Sequence, residues 1–334
     1  MHSSALVPLA LSVSLVFAGC GDDGTVADAS TDSSTDSSSG DSARPDGATD
    51  SGEDSASPDA GDTGTPALTP ASRVTALVAG TVITFPVVDE AGAPLLLGAS
   101  ASFDHDATAG QSVIASDGTS QRVSTSFVGP AVTFGPATPW VDEGGAALAP
   151  DVLFAGALGT GAPVLMGTFG TDARGYDFVA QEFGAVFPLV QMGGAPFTPI
   201  SATTVNVTGT GAAIVALSAA SPEIFVFNTT TAQFDPIPTA PVTCSAGTAI
   251  YADHVLGALL VGFTPPGGVD SVILIDGSDA FLLEDLDPFC FTDAYPLVDA
   301  SGVSLTPEEA FGWDYDGDGD DDIIMVDTVM VPVP

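Results

Sequence analysis

The stretch that decides the fold lies near the carboxyl end and reads Asp314-Tyr-Asp-Gly-Asp-Gly-Asp-Asp-Asp-Ile-Ile-Met-Val-Asp327. Related patterns, in which a turn rich in Asp or Gly precedes an apolar run, occur four times earlier in the chain. The units start at residues 104, 156, 206, 253 and 314, so they are separated by 47 to 61 residues. A period near fifty with about four strands per unit is typical of β-propeller blades. The alternative is a chance alignment of sequence rich in Gly and Ala.

The body of the chain, residues 71–334, favours strands throughout. Short β-branched and aromatic runs, such as residues 223–227 and 271–275, are separated by Gly, Asp, Asn and Pro. No stretch keeps a helical apolar spacing over ten residues without a Gly or Pro. We therefore predict an all-β fold, a β-propeller of five or six blades, with any sixth blade hidden in residues 73–100.

The final unit stops soon after its second strand, so a closed propeller needs strands from elsewhere. We predict that residues 74–88 complete the last blade beside residues 323–331. Such closure would hide the sheet edges that otherwise promote aggregation.

The quoted stretch also carries the main candidate for chemistry, a metal site. The side chains of Asp314, Asp316, Asp318 and Asp322 place carboxylates at loop positions 1, 3, 5 and 9. Gly319 occupies position 6, and Asp320 would offer its backbone carbonyl from position 7. Crowded carboxylates repel one another, and a hard divalent cation relieves this repulsion. Oxygen-only ligation favours Ca²⁺. Met325 at position 12 departs from an EF-hand, and the alternative is a solvated acidic turn.

Over about residues 310–327 the sequence resembles the FG-GAP/VCBS-type repeat, the calcium-loop blade of integrin-like β-propellers. The resemblance implies a β-hairpin whose calcium ion pins a blade, and a role in adhesion or binding. The earlier loop at Asp104 and Asp106 keeps only two acids, so we expect a poor ion site there.

The amino end indicates export. Residues 5–18 form an apolar run too short to span a bilayer, and it ends at Phe17-Ala18-Gly19-Cys20. This resembles the lipobox of bacterial lipoproteins, which implies a signal peptide over residues 1–19, cleavage before Cys20 and thioether lipidation of that residue. The alternative is an ordinary secretory signal with a chance cysteine.

Residues 20–70 differ in composition from the body, since Asp, Ser, Thr, Gly and Ala dominate them. Such a segment buries too little surface to offset chain entropy, so we predict a disordered acidic tether. A Ser/Thr stalk bearing glycans is the alternative role. The expected location is the cell envelope, with the body outside the cytoplasm and a lipid anchor as its only membrane contact.

Charge excludes one class of partner. The chain has four Lys or Arg residues against 43 Asp or Glu and a formal net charge of -39, with no lysine. A protein that binds nucleic acid needs a cationic face to displace counterions from phosphate.

Cys244 and Cys290 are the cysteines left after Cys20. In an exported protein they form either a disulfide or two separate buried thiols.

The sequence lacks the common motifs of metalloproteases, serine hydrolases, P-loop proteins and Rossmann folds. This favours a non-catalytic module that binds an extracellular protein or glycan. The alternatives are a propeller hydrolase using carboxylates such as Glu284, Asp285 and Asp287, and a purely structural envelope lipoprotein.

Overall fold

The computed structural model describes residues 67–78, 81–103, 112–124, 130–158, 164–207, 211–258, 260, 270–286, 288–315 and 321–332. The predicted signal peptide, Cys20 and the predicted tether up to residue 66 lie outside these residues. The described chain consists of strands and connecting turns, which confirms the all-β prediction. None of it forms a helix with the length and apolar character needed to traverse a lipid bilayer.

Within the described residues, the strands form a β-propeller of five blades. The chain begins with β1 (Leu68–Val78) and β2 (Thr81–Asp89). Blade 1 contains β3 (Ser100–Phe103), β4 (Ser112–Asp117), β5 (Ser120–Ser124) and β7 (Thr138–Pro139), whereas β6 (Val132–Phe134), between β5 and β7 in the chain, pairs with β2. Blade 2 contains β8 (Val152–Gly156), β9 (Val164–Phe169), β10 (Asp172–Asp177), β11 (Glu182–Phe183) and β12 (Phe187–Pro188). Blade 3 contains β13 (Pro199–Val207), β14 (Gly211–Ser218), β15 (Ser221–Asn228) and β16 (Gln233–Pro236). Blade 4 contains β17 (His254–Ala258), β18 (Ser271–Asp276), β19 (Asp279–Leu286), β20 (Phe289–Phe291) and β21 (Tyr295–Pro296). The last strands are β22 (Glu309–Trp313) and β23 (Asp322–Pro332).

Blade 5 is formed by both ends of the described chain, in the order β22-β23-β1-β2. Strand β1 pairs antiparallel with β23 from Leu68↔Pro332 to Leu77↔Ile323. This confirms the prediction that residues 74–88 complete the last blade. The first strand begins at Leu68, a little before the body boundary expected at residue 71. At its outer edge β2 also runs parallel to β6, which links blade 5 to blade 1.

The innermost strands β3, β8, β13, β17 and β22 contact one another in a closed ring around a central channel. Side-chain hydroxyls join neighbours in this ring. Ser102 Oγ donates to the Gly312 carbonyl at 2.7 Å, and Thr203 Oγ1 accepts the Gly257 N–H at 3.1 Å. Strands β17 and β22 approach each other so closely that only glycine fits at residue 312. A Cβ on Gly312 would lie 2.6 Å from the carbonyl oxygen of Gly257.

The hydrophobic core is divided into five clusters, and each cluster fills the boundary between two neighbouring blades. The boundary between blades 1 and 2, for example, is centred on Trp140, which is fully buried with Phe183 and Leu165. Because each blade covers its neighbour, closure of the ring removes apolar surface from water at all five boundaries.

The hairpin repeat read from the sequence is correct in four of its five positions. The units at 104, 156, 206 and 314 start where β3, β8, β13 and β22 end. The unit placed at residue 253 is wrong, because β17 itself begins at His254. Its equivalent hairpin joins β17 to β18 over residues 259–270, which are largely outside the described residues. The apolar residues of β17, an inner strand, resemble those expected of the second strand of a hairpin.

A second repeat, missed from the sequence, forms the connections between blades. Each is a turn closed by an isolated bridge: Val88↔Pro94, Val141↔Ala147, Val190↔Pro196, Val242↔Ala249 and Val298↔Ser304. In three of the turns an aspartate side chain accepts two backbone N–H groups, as Asp142 does from Gly144 and Ala146 at 2.9 Å. The remaining two use Gln191 and Thr243 at that place, and the turn at Thr243 is one residue longer.

Candidate functional site

The acid loop, residues 314–322, joins β22 to β23 as a hairpin in blade 5. Asp314 and Asp322 stand at its two ends, whereas Asp316, Asp318 and Asp320 lie outside the described residues. The buried Asp322 carboxylate accepts the Tyr315 backbone N–H at 3.0 Å. In the part that the structure describes, no group of three acidic, His or Cys side chains is placed to hold a metal ion. The calcium site therefore stays a prediction, and the loop that carries it connects the paired strands β22 and β23.

The start of the acid loop is anchored on the strands that close the ring. The ring of Tyr315 lies 5.9 Å from that of Phe85 in β2 and 6.1 Å from that of Trp313 in β22, centroid to centroid. Strand β2 comes from the amino end of the body and β22 from its carboxyl end. Tyr315 therefore packs against strands from both of the segments that together form blade 5.

Cys244 and Cys290 are joined by a disulfide in the structure, with their Cα atoms 5.0 Å apart. Cys244 lies in the connection from blade 3 to blade 4, and Cys290 lies in β20 of blade 4. The bond therefore ties the connection to the outer strand of the blade that it enters.

Two of the carboxylates considered for a hydrolase, Glu284 and Asp285, lie away from the channel lining. Glu284 and Asp285 belong to β19, the third strand of blade 4, where Asp285 pairs with Cys290 of the outer strand. Asp287 lies outside the described residues, as do Asp104 and Asp106. Neither Glu284 nor Asp285 is among the residues that line the channel, so these two side chains do not support the hydrolase alternative.

One of the carboxylates that line the channel is Glu309, at the start of β22. The channel encloses about 220 Å³ and is also lined by Asp270, Asp321 and several hydroxyl groups. Desolvation by burial, with a smaller contribution from the charge of Glu308, raises the pKa of Glu309 to about 8. Sequence reasoning missed this residue, since its burial depends on five inner strands meeting around one axis.

A second concavity opens at the boundary of blades 1 and 2 and encloses about 490 Å³. We call it the aromatic groove. Its lining includes three aromatic and three acidic residues: Phe103, Tyr176, Phe178, Glu143, Asp177 and Glu182. The rings of Phe103 and Phe178 are stacked, with centroids 5.7 Å apart and planes inclined by 8°. Phe178 meets Tyr176 edge-on at 5.0 Å. Phe103, Tyr176 and Phe178 thus form one wall of the groove, which we call the aromatic wall, and three carboxylates lie beside it.

The aromatic wall is held by the core beneath it. Tyr176 is buried, and the centroid of its ring lies 4.8 Å from that of Trp140 and 5.0 Å from that of Phe183. Its hydroxyl oxygen accepts a hydrogen bond from the Gln121 side chain. Burial raises the pKa of Tyr176 to about 12, so its hydroxyl is neutral at physiological pH. No local pattern in the sequence predicts this groove, because Phe103 and Phe178 lie in different blades.

No protein-family model matches the sequence, and no curated protein is significantly similar to it. Among solved structures, the chain is similar to BBS1N from its complex with ARL6DN, at 9% identity and a TM-score of 0.34 over 63% of this chain and 57% of that one. It is similar to an Agrocybe aegerita lectin that recognises non-reducing terminal N-acetylglucosamine, at 15% identity and a TM-score of 0.35 over 76% and 70%.

A third similar structure is an auxiliary nutrient binding protein from Bacteroides thetaiotaomicron, at 9% identity and a TM-score of 0.37 over 77% of each chain. At such identities and TM-scores these matches carry no argument about function. The five-bladed propeller fold rests on the observed strand pairing.

Proposed function

We propose that this protein is a surface-anchored, calcium-stabilised binding module that presents a five-bladed propeller to an extracellular protein or glycan. The observation that carries the calcium part is the acid loop itself. Its aspartates alternate at spacings that suit a hard cation, and the loop is framed by two strands of the blade that closes the ring. We assign Asp314, Asp316, Asp318 and Asp322 as side-chain ligands and Asp320 as a carbonyl ligand.

The anchoring part of the proposal rests on the amino-terminal sequence. A lipid on Cys20, followed by a polar tether, would hold the propeller away from the membrane surface on the outside of a bacterial cell. Multiple acyl chains give stable anchoring, because each buried CH₂ contributes about 0.8 kcal/mol. The FG-GAP/VCBS-type resemblance of residues 310–327 is consistent with this display of a binding domain.

The binding part is supported by the aromatic groove, a partly open concavity within the usual size range of ligand pockets. Rigid aromatic side chains of this kind supply contact area at a low cost in conformational entropy. The groove is separate from the channel, in which Ser102 and Thr203 already bond to neighbouring strands.

Equilibrium dialysis with radioactive calcium tests the metal site. We expect one tightly bound ion per chain, lost in Asp316→Ala and kept in Asp106→Ala, the matched change at position 3 of the loop that retains two acids. Absence of bound calcium in the unaltered protein would refute the calcium assignment. For the anchor, Cys20→Ser should move the protein from the membrane fraction to the soluble fraction, and no movement would refute lipid anchoring.

A second candidate function, acid-assisted hydrolysis in the channel, is favoured by one observation. The raised pKa of Glu309 lies near neutrality, as a general acid requires, and two further carboxylates line the same cavity. Hydrolysis of a chromogenic glycoside that Glu309→Gln abolishes would support it. Unchanged hydrolysis in that variant would refute it.

A further inference from the structure

The aromatic groove has a marked imbalance of charge. Three carboxylates line it, from Glu143, Asp177 and Glu182, and no cationic side chain is among the described residues that do so. One cation lies close by, because Arg174 Nη1 is 3.4 Å from the carbonyl of Gly184, a lining residue, and 3.9 Å from an Asp142 carboxylate oxygen. The three lining carboxylates outnumber this one neighbouring cation, so the groove carries an excess of negative charge that disfavours an anionic ligand.

One of these carboxylates is fixed in its charged form. Asp177 Oδ1 accepts the backbone N–H groups of Val179 and Ala180, at 2.7 and 3.0 Å. These hydrogen bonds lower the pKa of Asp177, so the group stays ionised at neutral pH. The groove therefore carries a permanent negative charge at a defined place beside Phe178.

The aromatic wall adds a preference that charge alone does not provide. The face of an aromatic ring carries negative electrostatic potential, and a cation within about 6 Å of the ring is attracted to it. Phe103 and Phe178 are half-buried, and their stacking on each other and on Tyr176 fixes their orientation before any ligand arrives. A surface that is merely acidic would attract any cation, whereas rings beside carboxylates favour a cation with an apolar body.

Two glycines keep the groove open. Gly175 and Gly184 both line it, and they are joined by a backbone hydrogen bond of 2.9 Å. A Cβ at Gly184 would meet its nearest neighbour, the Gly175 carbonyl oxygen, at 3.6 Å, and Glu143 Oε1 at 4.0 Å. Both distances are ordinary contacts, so the backbone tolerates a side chain there that would occupy the groove.

We propose that the aromatic groove binds a small organic cation, whose ammonium group pairs with the carboxylates while its carbon body lies against Phe103 and Phe178. This inference rests on the proposed binding function and names its ligand class. The volume of about 490 Å³ suits a small molecule. An ammonium of this kind occurs both in quaternary amines such as choline and in protonated amino sugars.

Calorimetric titration at 0.15 M salt tests the proposal with two pairs of probes, choline against its neutral isostere 3,3-dimethylbutan-1-ol, and glucosamine against glucose. We expect one site for at least one cation, with the matching neutral probe at least tenfold weaker. Which cation binds distinguishes the two sources of ammonium. Equal binding of a cation and its neutral partner, or no binding of either cation, would overturn the proposal.

Variants locate the binding. Glu143→Gln should weaken the cation three- to tenfold, whereas Glu90→Gln, the same change at the corresponding place in the preceding blade connection, should leave it unaltered. Gly184→Leu should abolish binding, and undiminished binding in that variant would contradict the proposal. Calcium dialysis of the same samples distinguishes failure of the cation-binding inference from failure of the proposed calcium-stabilised module. Normal calcium loading without cation binding would refute this inference alone, whereas missing calcium would refute the proposed calcium-stabilised module.

Discussion

Blade 5 is built from both ends of the chain, whereas each of blades 1 to 4 comes from one continuous segment. Blade 5 also contains the acid loop and the ion pair between Arg73 and Asp327. Bringing distant segments together costs loop-closure entropy that a local hairpin does not incur. The ion pair and the acid loop therefore lie where chain connectivity alone does not hold the ring together.

The largest expected effect comes from removing the strand that closes the ring. Deletion of residues 67–78 removes β1 and exposes the edges of β23 and β2. We expect loss of cooperative thermal unfolding and aggregation, because unpaired strand edges associate. Calorimetry and size-exclusion chromatography would show this. Deletion of the twelve residues 40–51 in the tether is the control, and equal behaviour of the two deletions would contradict the role of β1.

Next in size is the disulfide between Cys244 and Cys290, in blades formed from continuous chain. It closes a loop with a sequence separation of 46, for which the chain-entropy model gives about 4 kcal/mol. We expect the Cys244→Ser, Cys290→Ser double variant to lose about that free energy of unfolding in urea and to remain folded. Global unfolding of this variant would place the weakest point of the ring at blade 4 rather than blade 5.

A pH effect is expected at Glu309. Its pKa is about 8 in the folded protein against an ordinary 4.5, so the stability that it contributes is complete below about pH 4.5 and is lost as the pH rises through 8. Within that window the free energy of unfolding falls by at most about 1.4 kcal/mol per pH unit. Urea titrations at pH 5, 6.5 and 8 should show a flatter profile for Glu309→Gln than for Glu90→Gln. Parallel profiles would show that Glu309 ionises freely in the fold.

The smallest effect distinguishes ion pairs at two places. Arg73 in β1 bonds through Nε to Asp327 of β23 at 3.0 and 3.1 Å and so joins the two chain ends. Arg122, in the third strand of blade 1, bonds to Asp117 of the adjacent strand at 2.8 Å. We expect Arg73→Gln to cost about 1–2 kcal/mol and Arg122→Gln about 1 kcal/mol or less, measured by thermal unfolding. The reverse order would contradict the comparison.

The sequence predicted features that depend on local patterns or on one simple topological rule. Turn residues between β-branched runs indicated strands, and the incomplete last unit required strands such as residues 74–88 for closure. The connection turns were missed because Asp142 and Asp299 share a place with Gln191 and Thr243, and because one turn is longer. The unit at residue 253 was misplaced because the apolar residues of β17 resemble those of a second strand.

The site residues were harder to predict because they depend on contacts between distant segments. Glu309 becomes partly buried only when five inner strands form a ring, and the aromatic groove requires Phe103 and Phe178 from different blades to stack. The acid loop could be read directly from the sequence, since the ligands predicted for it lie within nine consecutive residues. Local spacing therefore indicated the calcium hypothesis, whereas the channel and the groove emerged only from the folded ring.

The most direct test of the central claim is a calcium titration of the melting temperature. Calcium at one hundred times its dissociation constant stabilises by about 2.7 kcal/mol, which corresponds to a rise on the order of 5–10 °C for a body of this size. We predict this rise for the unaltered protein and for Asp106→Ala, its absence in Asp316→Ala, and a smaller rise with magnesium. A melting temperature that is indifferent to calcium and to chelator in the unaltered protein would contradict the claim that calcium stabilises blade 5.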